Sequence, residues 1–154
     1  MPIDKTLFRQ VLGNLAAGVT AVTTVGPNDR PHGLTATSFT SVSLDPPLVL
    51  VCIDKKSETH PHFATAGVFA ANFLARGQEA VSSRFATSGG EKFAGLQWAW
   101  GSLGAPILAG TIGYVECRIV HAYDGGDHTI YVGQVEFAGA EKGEPLVYFR
   151  GAYR

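Results

Sequence analysis

The stretch YVECRIVHAYDGGDHTIYVGQVEFA, residues 114–138, contains the clearest structural pattern in the chain. Residues 114–121 alternate: Val, Cys and Ile occupy one face, and Glu and Arg occupy the other, as in a β-strand. The sequence DGGD at 124–127 predicts a tight turn, and residues 128–138 predict a long returning strand. This segment therefore predicts an antiparallel hairpin.

Further short elements are predicted on both sides of this hairpin. Valine- and threonine-rich or continuously apolar segments predict strands at 19–25, 31–38, 39–44, 48–53, 67–74 and 146–149. Apolar residues at helical spacing predict helices at 4–16, 57–64 and 78–85, the first two capped by Asp4 and Ser57. We expect the strand 48–53 to be buried on both faces. Residues 88–110 predict a long irregular loop.

Short strands with turn signals and few helices predict a mainly β fold, closed or nearly closed into an antiparallel barrel. A chain of 154 residues is expected to form one domain, 1–154. Hydrophobic residues make up 45% and charged residues 16%. This apolar-rich composition has two interpretations: a well-filled β core, or apolar surface hidden in an oligomer interface.

Charge and cysteine content narrow the function classes. The net charge of −1 provides no strong field for nucleic acid or an anionic membrane. Cys52 and Cys117 lie in apolar stretches and are expected to be buried hydrophobic residues and not a redox pair. The first residues, MPIDK, lack the apolar core of a signal peptide, and no apolar run reaches the ~20 residues of a membrane span. We therefore expect a cytoplasmic protein.

Several common motifs do not occur. The chain has no Gly-x-Gly-x-x-Gly after a strand, no Walker A loop, no Cys-x-x-Cys and no Gly-x-Ser-x-Gly. His60 and His62 lie two residues apart, and a metal site there would need a third ligand such as His121 or His128. A solvated loop is the better interpretation, so no metal is predicted.

Three segments are rich in hydroxyl groups and carry positive charges. They are TATSFTS at 35–41, DKKSET at 54–59 and SSRF at 82–85. Hydroxyls, backbone N–H groups and one or two cations are the groups that bind phosphate. Each segment alone is also compatible with an ordinary strand or loop. All three follow strand ends in one small domain, and together they favour a nucleotide-type ligand.

These segments resemble the flavin reductase family of two-component monooxygenases, the split-barrel FMN-binding type. The similarity runs from about residue 8 to 153. It is carried by GLTATSFTSVSLDPPL at 33–48, by VCIDK at 51–55, by FL at 73–74 with SSRFA at 82–86, by GDHTIYVG at 126–133 and by LVYFRGAYR at 146–154.

The resemblance implies a split antiparallel Greek-key barrel that reduces FMN or FAD by hydride transfer from NADH or NADPH and supplies a partner monooxygenase. It also implies a homodimer with the flavin near the subunit interface. The residues implied against the isoalloxazine edge are Thr35, Ala36, Thr37 and Ser38. Those implied around the phosphate are Asp54, Lys55, Ser57, Thr59, Ser83, Arg84 and Phe85. The nicotinamide side is Gly126, Asp127 and His128, with His128 as a positioning group and not a general base.

Two questions stay open: what the two lysines of one loop bind, and whether the protein is a reductase or has one of two alternative functions. Lys55 and Lys56 make one loop more cationic than the family pattern, which suits either a second phosphate of FAD or plain surface charge. The same barrel is also compatible with a non-catalytic flavin-binding electron-transfer or storage protein. A third hypothesis is a homodimeric barrel that acts only as a binding or regulatory protein.

Overall fold

The computed structural model describes residues 2–154. Strands and three short α-helices make up the fold, together with one 3-10 turn at Pro27–Asp29. The helices are α1 Lys5–Leu12, α2 His60–Ala66 and α3 Glu79–Phe85. The strands are β1 Ala17–Gly18, β2 Thr20–Val25, β3 Pro31–Ala36, β4 Thr40–Ser43, β5 Leu48–Asp54, β6 Val68–Phe73, β7 Trp98–Trp100, β8 Pro106–Leu108, β9 Gly113–Gly125, β10 His128–Ala140, β11 Val147–Phe149 and β12 Ala152–Tyr153.

Seven of the strands form one sheet in the order β3-β2-β6-β9-β10-β5-β4, and every neighbouring pair is antiparallel. The mainly β, antiparallel character is thus confirmed. Within the described residues, β3 and β4 are the two edge strands of this sheet. They do not pair with each other, so backbone hydrogen bonds do not close the sheet into a complete barrel.

The predicted hairpin is confirmed, and its two strands extend beyond the predicted residues 114–121 and 128–138. β9 and β10 pair from His128 opposite Gly125 to Ala140 opposite Gly113, with two register shifts on the way. Gly126 and Asp127 form the turn, and Gly126 has a φ of 81°, a conformation that favours glycine. The turn therefore places His128 at the start of β10, where its register partner on β5 is Asp54.

Two hydrophobic clusters occupy opposite sides of β2. Val22 belongs to the first cluster, while Ala21 belongs to the second. Alternate side chains of a strand point to opposite faces, so β2 and also β6 are buried on both. The first cluster comprises Val22, Ala36, Val49, Val51, Ile53, Phe63, Phe69, Cys117 and Tyr131. The second comprises Val19, Ala21, Leu74, Phe85, Phe93, Leu108 and Leu146.

The strand predicted at 48–53 is present, but its burial on both faces was wrong. Val49, Val51 and Ile53 are buried, whereas the alternate residues are only partly buried. Val49, Val51 and Ile53 pack into the first cluster, whereas no residue of the opposite face of β5 belongs to either cluster. For the same reason Cys52 is half-buried, and only Cys117 is the buried cysteine that was predicted.

The predicted cap at Asp4 is confirmed: its carboxylate accepts a hydrogen bond from the Leu7 amide, and α1 ends at Leu12 instead of continuing to residue 16. The predicted cap at Ser57 was wrong, because Thr59 occupies the N-cap position of α2. α2 begins three residues later than predicted, because residues 54–57 form a turn in which the Ser57 amide donates to the Asp54 carbonyl. α3 agrees with the prediction to within one residue.

The irregular loop predicted at 88–110 contains a small hairpin. β7 and β8 pair with Trp98 opposite Leu108, and Phe93 and Leu108 enter the second cluster. Glu116 on β9 faces this hairpin and is completely buried. Its Oε2 accepts hydrogen bonds from the amides of Leu103 at 2.9 Å and Ala105 at 3.1 Å. Strands of three residues are too short to show periodicity, so only tertiary packing reveals them.

Within residues 2–154, no helix combines the length and apolar character that crossing a membrane would need.

Candidate active site

A cavity of about 500 Å³ lies between the end of β3, the end of β5 and the residues that follow α3. We name it the flavin cavity after the ligand that the family resemblance implies for these residues. Its size is within the usual range for small-molecule sites, about 300–1,000 Å³. Its lining residues are Leu34, Thr35, Ala36, Thr37, Ser38, Cys52, Asp54, Lys56, Ser57, Glu58, Phe85, Ala86, Thr87, Ser88, Lys92 and His128.

The first wall consists of residues 35–38, and three hydrogen bonds of the Thr35 and Ser38 side chains hold it. The Thr35 hydroxyl donates to the Ser82 carbonyl of α3 at 2.6 Å. The Ser38 hydroxyl contacts both the amide and the carbonyl of Cys52 on β5, at 3.1 and 3.0 Å. Small side chains at Ala36 and Ser38 leave room for a flat ring to approach the backbone.

The second wall is the turn after β5. The Asp54 carboxylate accepts a hydrogen bond from the Lys56 amide at 2.9 Å, and Ser57 Oγ accepts one from the Thr59 amide at 3.1 Å. Thr59 itself is buried, and its hydroxyl donates to the Gly33 carbonyl at 3.3 Å. The turn therefore presents Ser57 and Lys56 to the cavity, while Thr59 joins the turn to β3.

The two lysines of this turn have different environments. The Lys55 ammonium forms an ion pair with Asp124 on β9, and the Lys55 amide donates to the Asp127 carbonyl. The hydrogen bond from Lys55 holds the pKa of the Asp124 carboxyl below its usual range. Lys55 thus fastens the hairpin turn to β5, and Lys56 is the lysine that lines the cavity.

The third wall follows α3 and differs from the sequence-based expectation. Phe85 is buried and lines the cavity, but Arg84 does not line it. The Arg84 guanidinium donates to the Ala94 carbonyl at 2.6 Å and so holds the loop that follows the helix. Ser83 also lies outside the cavity lining, and its carbonyl accepts a hydrogen bond from the Thr87 hydroxyl. Consecutive side chains of a helix such as α3 point to different sides. Of Ser83, Arg84 and Phe85, only Phe85 therefore lines the cavity.

Lys92 supplies the cation that Arg84 does not. Its ammonium donates to the carbonyls of Gly33 at 2.9 Å and Phe85 at 3.3 Å, and it lies 3.6 Å from the Glu58 carboxylate. Its side chain is only 10% exposed. A hydrogen bond from the Gly89 amide holds the pKa of Glu58 below its usual range. No local motif marks Lys92, and only the path of the 86–94 loop brings it to the cavity.

His128 closes the cavity at the hairpin turn. Its Nδ1 lies 2.7 Å from the Asp127 carboxylate, which fixes one edge of the imidazole. This contact with His128 holds the pKa of Asp127 below its usual range. Asp127 and Gly126 themselves do not line the cavity. They orient the histidine that does.

The structure thus divides the predicted site residues into two groups. Those that line the flavin cavity are Thr35, Ala36, Thr37, Ser38, Asp54, Ser57, Phe85 and His128. Those that lie outside its lining are Lys55, Thr59, Ser83, Arg84, Gly126 and Asp127. The lining residues that the sequence did not indicate as functional include Cys52, Glu58, Thr87 and Lys92.

His60 and His62 have separate partners. His60 Nε2 forms a 2.9 Å hydrogen bond with the Thr129 hydroxyl, whereas the His62 ring stacks on His32. The two imidazoles are therefore not directed at one common point.

Comparison with known proteins gives consistent matches over nearly the whole chain. The model of the flavin reductase like domain matches residues 12–154. The NADH-dependent FMN reductase SmoA of Agrobacterium fabrum is 45% identical over 146 residues, covering 95% of this chain and 83% of the relative. The reductase subunit HsaB of a flavin-dependent monooxygenase from Mycobacterium tuberculosis is 41% identical, covering 98% of this chain and 82% of the relative.

A solved structure has the same fold. The NADH:FAD oxidoreductase SgcE6 of Streptomyces globisporus, in complex with NAD and FAD fragments, superposes with a TM-score of 0.93 at 40% identity. The match covers 98% of this chain and 92% of that chain. With the fold, the hydroxyl-lined cavity and these relatives in agreement, the chain belongs to the flavin reductase like domain family.

Proposed function

We propose that this protein is an NADH-dependent flavin reductase that transfers hydride from NADH to FMN or FAD. The observation that carries this proposal is that one cavity holds Thr35, Ser38, Ser57 and His128, which lie far apart in the sequence. Bound flavin and nicotinamide supply the redox chemistry, and the protein supplies binding and orientation.

The cavity walls suggest how a flavin is oriented. The 35–38 wall and the adjoining end of β5 offer hydroxyl and backbone groups to the edge of a flat ring. Ser57, Lys56 and Lys92 also line the cavity, and this combination of hydroxyl and ammonium groups suits a phosphate. The ring would therefore lie toward Ser38, with its phosphate toward Lys92.

We assign His128 to the nicotinamide. The Asp127 carboxylate holds its Nδ1, so the opposite edge of the imidazole can donate to or stack against the nicotinamide carboxamide. Hydride transfer needs the two reacting atoms at about 3–3.5 Å, and an imidazole fixed in this way favours that approach by restricting the ring position. No proton transfer by His128 is required.

The first test is anaerobic oxidation of NADH in the presence of FMN or FAD, followed at 340 nm. We expect rapid oxidation that depends on added flavin. A protein that oxidises neither NADH nor NADPH with either flavin would overturn the proposal. Flavin that stays bound and oxidised in the presence of NADH would instead support the non-catalytic alternative.

We further propose that the protein acts as a homodimer of single-domain, split-barrel subunits. Leu7, Phe8, Val11 and Leu12 of α1 are all exposed, and α1 has no buried residue. Beside Leu15 lies a mainly apolar cavity of about 630 Å³, which also includes Thr37 and Ser38 of the flavin cavity wall. A dimer formed over this surface would cover the apolar residues and border the flavin. Light scattering during size-exclusion chromatography tests this, and a monomer at micromolar concentration would contradict it.

The reduced flavin is expected to serve a partner monooxygenase in the cytoplasm. The free thiols of Cys52 and Cys117 suit a reducing compartment. Supplementing a flavin-dependent monooxygenase of the same host with this protein and NADH should support its oxygenation reaction. The failure of such a reconstitution, with the reductase active, would argue against this role.

A further inference from the structure

A second cavity of about 330 Å³ adjoins the flavin cavity. We call it the side cavity. The two cavities share Glu58 and Lys92, so this ion pair lies at their junction. The remaining walls of the side cavity come from β3, the start of α2 and the loop around Gly89 and Gly90.

Two stacked imidazoles form one side of this cavity. The ring centroids of His32 and His62 are 3.9 Å apart, and the planes differ by 24°. Gly26 lies against His32 so closely that a Cβ there would be 2.6 Å from the ring. Burial and the neighbouring His62 lower the pKa of His32. The pair therefore lines the side cavity with two imidazole rings held against each other.

The charges around the side cavity balance. Arg30 is 3.7 Å from Glu91, and Lys92 is 3.6 Å from Glu58. A cavity whose charges are paired attracts a free anion weakly. Its aromatic wall suits a neutral heterocycle, because every nucleobase has a π-face that can stack on aromatic side chains. The flavin cavity, whose lining includes Lys56, Ser57 and Lys92, has the ammonium and hydroxyl groups that a phosphate needs.

We infer that the side cavity binds the adenosine of FAD by stacking on His32 and His62, which makes FAD the preferred flavin over FMN. This inference rests on the proposed flavin reductase function. An FMN molecule would end at the junction, whereas the adenosine of FAD would continue beyond the phosphates into the side cavity. The tail of FAD would then contact residues that FMN cannot reach.

Dissociation constants for FAD and FMN, measured by flavin fluorescence quenching, test this inference. We expect the wild-type protein to bind FAD roughly tenfold more tightly than FMN, the effect of one stacked base. His32→Ala should remove most of this preference and leave FMN affinity unchanged. His32→Phe keeps a flat ring and should retain the preference. The matched control is His121→Ala, an exposed histidine on β9 that lines neither cavity.

Equal affinity of the wild-type protein for the two flavins would overturn the inference, and so would an equal loss of both affinities in His32→Ala. If His32→Ala is poorly folded, the wild-type ratio and His32→Phe still decide. A raised KM for NADH with unchanged FAD affinity would assign the side cavity to NADH and also overturn it. Failure to bind either flavin would instead overturn the proposed function itself.

Discussion

The Ser38 hydroxyl accepts a hydrogen bond from the Cys52 amide at 3.1 Å and donates one to the Cys52 carbonyl at 3.0 Å. The ladder of β4 and β5 pairs Thr40 with Leu50, so an unbroken register would place Ser38 opposite Cys52. One side chain therefore makes the two hydrogen bonds that facing strand residues exchange through their backbones. Backbone pairing stops here, and both residues line the flavin cavity.

Replacing Ser38 by Ala should loosen this wall. The Cys52 amide and carbonyl lose their partner, so we expect the free energy of unfolding to fall by about 1 kcal/mol. Flavin affinity should fall as well, since the 35–38 wall is no longer held against β5. Urea denaturation and fluorescence titration measure the two effects. Thr40→Ala is the control, because its hydroxyl makes only a 3.4 Å contact with the neighbouring Ser41 carbonyl. An unchanged flavin affinity in Ser38→Ala would contradict this account.

Replacing His128 by Ala should affect NADH more than flavin. The imidazole lines the flavin cavity and is oriented by Asp127. We expect the KM for NADH to rise roughly tenfold, the loss of one hydrogen bond to a bound group, with flavin affinity changed much less. Steady-state kinetics at saturating flavin measures the first effect, and fluorescence titration the second. His121→Ala on the same hairpin is the control. Equal losses of both affinities would exclude a nicotinamide-specific role.

The two cysteines should react differently with thiol reagents. Cys117 is fully buried, and burial raises the pKa of its thiol to about 12, so it stays protonated at pH 8. Cys52 is half-buried and lines the flavin cavity. Titration of the folded protein with a chromogenic disulfide should therefore modify Cys52 alone, and both thiols in denaturant. Bound flavin should slow the reaction. Labelling at the same rate with and without saturating flavin would place the flavin elsewhere.

The buried carboxylate of Glu116 should be important for stability. It binds the amides of Leu103 and Ala105, and a Cβ on Gly101 would lie 2.5 Å from its oxygen. Glu116→Ala leaves the buried amide of Ala105 and the partly buried amide of Leu103 without partners and should cost about 2–5 kcal/mol. Gly101→Ala forces the carboxylate aside and should cost about 1–3 kcal/mol. Urea denaturation measures both. If Gly101→Ala is as stable as the wild type, the contact between these residues is not tight.

Protonation of His32 should couple to folding. Burial, then the neighbouring charges of His62 and Arg30, lower its pKa from the ordinary 6.5. The unfolded chain therefore binds more protons than the folded protein just below pH 6.5. The contribution of His32 to the free energy of unfolding is therefore fully present above pH 6.5 and decreases as the pH falls toward the lowered pKa of the folded protein. His32→Phe should flatten the curve of unfolding free energy between pH 5 and pH 7. The pKa of the Glu58 carboxyl is lowered from 4.5, so the stability that Glu58 contributes is lost at a more acidic pH.

Much of the fold could be predicted because its patterns are local. The alternation in residues 114–121 and the DGGD turn predict the hairpin, and both are properties of neighbouring residues. The hydroxyl-rich segment 35–38 could be placed at the end of a predicted strand for the same reason, and β3 ends within it at Ala36. The burial of the two faces of β5 could not be predicted, because it depends on which distant side chains pack against each face.

The set of residues that forms the candidate site depended on tertiary structure more than the strands and turns did. The sequence alone determined the strands of the seven-stranded sheet, the hairpin turn with His128 and the hydroxyl groups of the cavity. Only the tertiary structure decided that Lys92 and not Arg84 lines the flavin cavity, and that His62 stacks on His32 while His60 forms a hydrogen bond with Thr129. Hydrogen-bonding patterns along a strand extend over a few residues, whereas these contacts join separate elements and depend on loop paths that no local periodicity records.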